Sequence, residues 1–233
     1  ANGYVLSPKS KSYHALDSFV YEYINCGGTK DNLKIEINYM LRCHVLTVAR
    51  REVRMPWNEE KLTVFSVAPL EIFASKTVAL LTRTAPRDLY DMHNMVKFGL
   101  FDESEEAMLR KCVVFYSAIG SAQPPEKFAL DNIGNVSFRQ IKRDLNSVLR
   151  KGERFDLEFV QKEVKDYLTS VLVPTKEEKL FWKAFSEGNY YPDWVFGDSD
   201  EFRNVAKHPM ALWKCRDKEE DKKPLNKAHE KRA

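Results

Sequence analysis

The sequence predicts an α+β protein: a small β-rich N-terminal portion (residues 1–69) feeding a helical portion (70–214), then a charged tail (215–233). Three observations lead there. Runs of strand-like polarity occur only before residue 69, apolar residues recur at helical spacing from Leu70 onward, and capping patterns punctuate that second stretch. No internal repeat is present, and 233 residues suffice to bury a core without a disulfide framework.

Taken in order, residues 1–19 show neither a helical nor a strand period. Tyr21–Ile24 and Leu33–Leu41 read as strands joined by a Gly/Asn/Asp-rich hairpin connection over residues 25–32. In the second strand Leu33, Ile35, Ile37 and Tyr39 share one face and Lys34, Glu36 and Asn38 the other, so the apolar face is expected to pack. Leu62–Val67 is a further strand, ended by Ala68-Pro69. A helix then starts at Leu70, the next near Arg87, and another opens at Asp102 or Ser104 and runs to about Ala118. Ser137 with Gln140 forms a capping box for a helix through Leu149; Asp156 to Val171 is helical; Thr175 with Glu178 repeats the box. After Gly188, NYYPDWVF and HPMALWK are expected to fold back and bury Tyr190, Trp194, Phe196 and Trp213. Beyond Lys214 the composition predicts a solvated, mobile tail.

Bulk properties exclude several classes. Cys26, Cys43, Cys112 and Cys215 form no C-x-x-C pair or Cys/His cluster, so they read as reduced thiols of a cytoplasmic protein, without a zinc site. No stretch has the apolar length of a membrane span, and there is no signal-peptide pattern at the N-terminus. A net charge of +3 does not by itself argue for nucleic acid. Basic residues do cluster at Arg42, Arg50, Arg51 and Arg54 and at Arg139, Lys142, Arg143, Arg150 and Lys151, where solvated faces are the simpler reading. The aromatic set Phe181, Trp182, Phe185, Tyr190, Tyr191 and Trp194 could stack bases but fits a core better. His44 and His93 lack a second ligand at metal spacing, and His208 precedes Pro209 at a packing corner.

The most informative residue is Lys76, in a helix where Ile72, Phe73, Ala79 and Leu80 surround it within a turn. An ammonium in such surroundings is costly unless it is paired or stands at the mouth of a polar site. The following helix puts Asp88 and Asp91 three residues apart on one face, within reach of a lysine on an antiparallel neighbour. This arrangement is either a structural ion pair or part of a phosphate-handling site.

The pattern L-x-x-x-x-S-K-x-x-A-L-L-x-R…R-D-L-Y-D, Leu70 to Asp91, resembles the AbiEii/AbiGii toxin family of nucleotidyltransferases. The likeness extends through K-I-E-I-N-Y (Lys34–Tyr39), the stretch Thr175–Phe185, G-N-Y-Y-P-D (Gly188–Asp193) and H-P-M-A-L-W-K (His208–Lys214). The resemblance implies a nucleotidyltransferase-type β-sheet followed by a helical domain, and the toxin of a bacterial toxin–antitoxin or abortive-infection (phage-defence) pair. It implies transfer of a nucleotide from an NTP, with Mg²⁺, to an RNA acceptor, notably tRNA, and a cognate antitoxin or transcriptional regulator as partner. Matched motif to motif, Glu36 takes the place of a metal-site carboxylate and Lys76 that of the phosphate-contacting lysine. Asp88 and its companion Asp91 are then the acids of the catalytic R-D motif, with Arg87 beside the nucleotide.

One departure matters. The family's G-S turn and D-x-D pair do not occur before Lys34; Gly27-Gly28-Thr29 sits too close to the Lys34 strand and is a sufficient hairpin turn, and Asp17 is a lone carboxylate. The simplest expectation is a truncated sheet portion that begins after the metal-binding pair, in a chain inactive by itself. The competing expectation is a non-catalytic helical module that binds an antitoxin or other protein.

Overall fold

The computed structural model describes residues 3–39, 41, 43–53, 61–147, 149–150 and 152–221, with backbone alone from 217. It is an α+β fold in which β structure precedes helices. The central strand β3 (Leu16–Ile24) pairs antiparallel along its whole length with β4 (Lys30–Asn38). Its other edge is shared end to end by β1 (Val5–Leu6) and β2 (Lys11–Tyr13). At the β3–β4 turn the Asn25 side chain accepts from the backbone N–H of Gly27 (3.0 Å) and Thr29 (3.1 Å), and Gly28 supplies the left-handed φ that the turn requires. In a separate two-stranded sheet β5 (Ala49–Val53) pairs antiparallel with β6 (Leu62–Ser66), with the Arg50 guanidinium 4.9 Å over the Phe65 ring.

Local chemistry sets the helices that follow. Helix α1 (Pro69–Arg83) and helix α2 (Pro86–Lys97) each begin with proline, whose missing N–H costs nothing in a first turn. Between them Thr84 ends α1 in the left-handed region at φ 49°, the sole non-glycine residue with positive φ among the described residues. Helix α3 (Glu103–Gly120) opens on the Asp102–Glu105 capping box, and from Cys112 to Ile119 every side chain is buried. A helix buried on all sides is the axis of the domain. The Ser137–Gln140 box opens the short α4 (Phe138–Gln140), which continues as one wide turn over Ile141–Leu145. Then come α5 (Leu157–Val171), capped by Asp156, α6 (Lys176–Ser186), capped by Thr175, the short α7 (Asp193–Phe196) and α8 (Arg203–Ala206), and α9 (Pro209–Asp221). Glu178 of the α6 box is itself buried and also accepts from Arg110 of α3 at 3.1 Å, so a capping residue doubles as an interhelical tie.

The continuous core runs from Val45 to Cys215 and, among the described residues, takes nothing from the four-stranded sheet. Several sequence expectations change accordingly. Strands do form before residue 20, at Val5–Leu6, Lys11–Tyr13 and from Leu16, because the pairing of the first two is dictated by β3 rather than by any period of their own. The apolar face of β4 holds Leu33, Ile35, Ile37 and Tyr39 together as expected, yet it is exposed rather than packed. Phe196 is buried and Tyr190 half-buried, whereas Trp194 stacks on Tyr191 at the surface and Trp213 is exposed. Cys215 and Arg216, expected to open the tail, lie in α9; residues 222–233 lie outside the described residues, as do Arg42, Arg54 and Lys151 of the basic clusters.

Phe115 meets Phe181, Phe196 and His208 at the centre of the core. Phe115→Ala is expected to cost about 3–5 kcal/mol, the range for emptying a buried aromatic site, read as a lower urea midpoint at unchanged slope.

Candidate functional site

One stripe of α1, residues Ile72, Ser75, Lys76, Ala79 and Arg83, floors a cavity of about 390 Å³. These positions follow the three-and-four spacing of a single helix face. Leu41, His44 and Val67 wall the cavity from the segments leading out of the sheets, while Glu71, Asp88 and Tyr116 close its sides. The volume lies in the range of small-ligand pockets, roughly 300–1,000 Å³.

The side chains around this stripe are held in two sets. Lys76 Nζ lies 2.5 Å from Asp91 Oδ2, with both side chains 36% exposed. The lysine therefore stands at the mouth of the cavity, less enclosed than its apolar sequence neighbours suggest. Asp88, deeply buried, is gripped by Arg83 through two parallel bonds, Nε to Oδ2 and Nη2 to Oδ1, each 2.7 Å. The second set centres on Glu71, 1% exposed. Its carboxylate accepts from the backbone N–H of Val45 and Leu46 at 3.0 Å each and from the Tyr116 hydroxyl, with His44 Nδ1 at 3.2 Å.

Of the residues singled out in the sequence, Lys76 and Asp88 line this cavity and Asp91 reaches Lys76 from α2. Arg87 instead donates from Nε to the Asp144 carbonyl at 3.3 Å. Glu36 lies on the exposed polar face of β4, ion-paired to Lys34 at 2.7 Å. Sequence reasoning missed Glu71, and gave no role to Arg83 although the pattern from Leu70 contains it. Glu71 sits in a first helical turn, where an acid is ordinarily explained by the helix dipole, and its partners are distant in the chain. Arg83 ends α1 and Arg87 lies in the first turn of α2, so which of the two lines the cavity becomes definite only once the turn geometry is known.

A family model described as the nucleotidyl transferase AbiEii toxin of type IV toxin–antitoxin systems matches residues 8–180, about three quarters of the chain. The chain belongs to the AbiEii toxin family. It matches no curated protein and no solved structure. AbiEii membership makes it a nucleotidyltransferase-type toxin whose system includes an antitoxin partner.

The AbiEii activity calls for an NTP and a metal, and the two fit these residues differently. Lys76 and Arg83, on one stripe beside a cavity of ligand size, are the donor types that take a phosphate. For Mg²⁺, which is held by clustered oxygen ligands, the described residues do not fit. No group of three His, Cys, Asp or Glu converges among them. Glu36 has Lys34 as partner, and Asp17, on the opposite face of the sheet, accepts from the Ser12 and Tyr39 hydroxyls. Nor does any described helix have the length and apolarity to cross a membrane.

Buried ionisable groups crowd behind the Glu71 wall. Burial, then the Glu71 carboxylate, raises the pKa of the Tyr116 hydroxyl and of the Cys112 thiol. His208, fully buried against Phe115 with neither ring nitrogen in a hydrogen bond, has its pKa lowered by burial. The Cys43 backbone and Glu71 pull it upward less strongly, and His44 adds to the lowering.

Two outcomes follow from this geometry. Glu71→Ala leaves two backbone N–H groups and the Tyr116 hydroxyl without their acceptor, at about 1–3 kcal/mol each; a loss of at least ~3 kcal/mol is expected by urea unfolding. Because the neutral form of His208 is favoured in the fold, its contribution to stability is complete above pH ~6.5 and declines as the pH falls toward its lowered folded-state value. His208→Leu is therefore expected to flatten the stability–pH curve below pH ~6.5 relative to the parent, followed by thermal melts across that range.

Proposed function

We propose that this chain carries the nucleotide-handling part of an AbiEii toxin that, in a full-length form with the paired aspartates, transfers a nucleotide from an NTP to RNA, with tRNA as the favoured acceptor. The observation that carries the reading is Lys76, at the mouth of a ligand-sized cavity, held by one acid of the R-D-L-Y-D segment while the other acid lines the same cavity. In such a transfer an acceptor hydroxyl releases its proton to solvent as its oxygen bonds to the α-phosphorus and the bond to pyrophosphate breaks. Negative charge then gathers on the leaving pyrophosphate, where a positioned cation lowers the barrier. Lys76 is the residue for that role; Asp91 positions it, and Asp88 orders the cavity wall. Arg87, engaged with the Asp144 carbonyl, has no part in this reading.

Divalent metal would supply the Lewis-acid share of the chemistry. With Glu36 the one carboxylate on its face of β4, the polypeptide of this sequence is proposed to bind triphosphate without turning it over. Phage defence in the cytoplasm, beside a cognate antitoxin or regulator, belongs to the same reading.

The test is binding of each of the four NTPs by calorimetry, with Lys76→Met as comparison. At least tenfold weaker binding by the variant, at a melting temperature close to the parent's, is expected. Equal affinity in the two proteins, or no binding of any NTP by the parent, would sink the reading. A second reading, a helical module that engages a protein partner, is favoured by one fact: the Lys76, Arg83 and Asp88 charges are all already paired within the fold. Under it, Lys76→Ala lowers the melting temperature and leaves the toxicity of a full-length protein intact.

A further inference from the structure

Arg83 belongs to the same stripe of α1 as Lys76, seven residues further on. Two helical turns at 1.5 Å per residue set their Cα atoms ~10 Å apart on nearly one line, a gap that two long cationic side chains can close onto neighbouring phosphates. Unlike an ordinary surface arginine, Arg83 does not have to find its orientation when a ligand arrives. Asp88, 4% exposed, fixes the guanidinium through Nε and Nη2, and Arg83 itself remains 67% exposed. The fork uses two of the five guanidinium N–H groups, so the two on Nη1 and one on Nη2 are not engaged by Asp88, on a residue that lines the cavity. The turn that makes this contact possible contains Thr84 at its positive φ, a conformation held by the surrounding structure at some cost.

We infer that Arg83, aimed by Asp88, is the second phosphate-contacting residue of this cavity, joining Lys76 on the polyphosphate chain of a nucleoside triphosphate. Asp88 is on this view a positioning residue, acting through Arg83 rather than on the nucleotide. The charges facing the cavity agree with that division. Glu71 accepts from two backbone N–H groups and the Tyr116 hydroxyl, with His44 Nδ1 beside it, and Asp88 is paired on both oxygens with the arginine fork, so neither carboxylate faces an anion without a donor of its own. Lys76 has to exchange Asp91 for phosphate, while Arg83 accepts phosphate without giving up its acid. Arg83 is thus the cation that can meet the anion first. This inference rests on the triphosphate reading of the cavity and goes beyond it in residue and in order of engagement.

The probe is inorganic tripolyphosphate, titrated calorimetrically without metal against the parent, Lys76→Met, Arg83→Gln and the double variant Arg83→Gln/Asp88→Asn. The double variant removes the arginine together with its buried acid, so no unpaired carboxylate is left inside and the net charge of the protein is unchanged. At least tenfold weaker binding by the double variant is expected, at a melting temperature near the parent's. Arg83→Lys is expected to fall between, because an ammonium cannot serve Asp88 and a phosphate with one planar fork. Tripolyphosphate should also protect Arg83 from phenylglyoxal, mapped by mass spectrometry, which reads the same contact without any substitution. Parent-like affinity in the double variant together with loss in Lys76→Met would overturn the role of Arg83 and leave the triphosphate reading standing. No binding by the parent would remove both.

Discussion

The Glu71 carboxylate is the constraint on which the cavity depends. It is a charge almost without solvent, and such a charge persists in a fold only when its lone pairs are occupied. Its four donors come from three places: the backbone at Val45 and Leu46, the His44 ring, and the Tyr116 hydroxyl of the central helix. Removing any one of them leaves the acid short of a donor, and removing the acid leaves all of them short of an acceptor. The segment leaving the β structure is thereby fixed against α1 and α3, and Leu41 and His44 become a wall of the cavity rather than a loose loop. The same segment is tied from the other side where the Cys43 thiol donates to the Asn204 carbonyl at 3.5 Å.

On that fixed wall the α1–α2 hairpin arranges opposite charges at two depths. Arg83 and Asp88 are five residues apart across the turn, and their fork closes it from the inside. Lys76 and Asp91 are fifteen residues apart, one level further from the turn and half in solvent. An ion pair so exposed contributes little stability, on the order of 0–1 kcal/mol, and so is cheaply exchanged for another anion. The buried fork is not exchanged so easily, because freeing Asp88 would leave a carboxylate in the interior. Depth therefore separates a labile cation from a fixed one on the same stripe.

How much of this could be read from residues alone follows the range of each interaction. The capping boxes at Ser137 and Thr175 are satisfied within four residues and appear where the sequence puts them, and Asp102, one of two helix starts offered there, carries a third. The faces of β4 were likewise legible, since alternation is local; whether a face is covered is not, and Leu33, Ile35 and Ile37 remain exposed. β1 and β2 have no signal of their own because they borrow their register from β3. At the cavity, Lys76 and Asp88 were identifiable as an odd charge and an acid-bearing turn. Glu71 was not, since its donors lie 26, 25 and 45 residues away and no pattern in α1 announces them. His208 gave only its neighbouring proline, although its burial against Phe115 is among the most complete in the chain.

The distribution of burial also separates two tasks that a nucleotidyl transferase must combine. The cations near the cavity are borne by α1 and supported by a core drawn entirely from Val45 onward. Glu36, the acid matched to metal binding, is borne by a strand that adds nothing to that core and has Lys34 for company. On the proposed reading, the polyphosphate site stands on helices with their own hydrophobic support, to which the four-stranded sheet contributes no core residue among the described ones. Metal chemistry has no such independence. It needs several oxygen ligands on one face, and the strand pairing puts Asp17 and Glu36 on opposite faces, where no side-chain rotation brings them together. The proposed binding and turnover would thus rest on different parts of the fold: the cavity cations on the helical core, and Glu36 on a strand outside it.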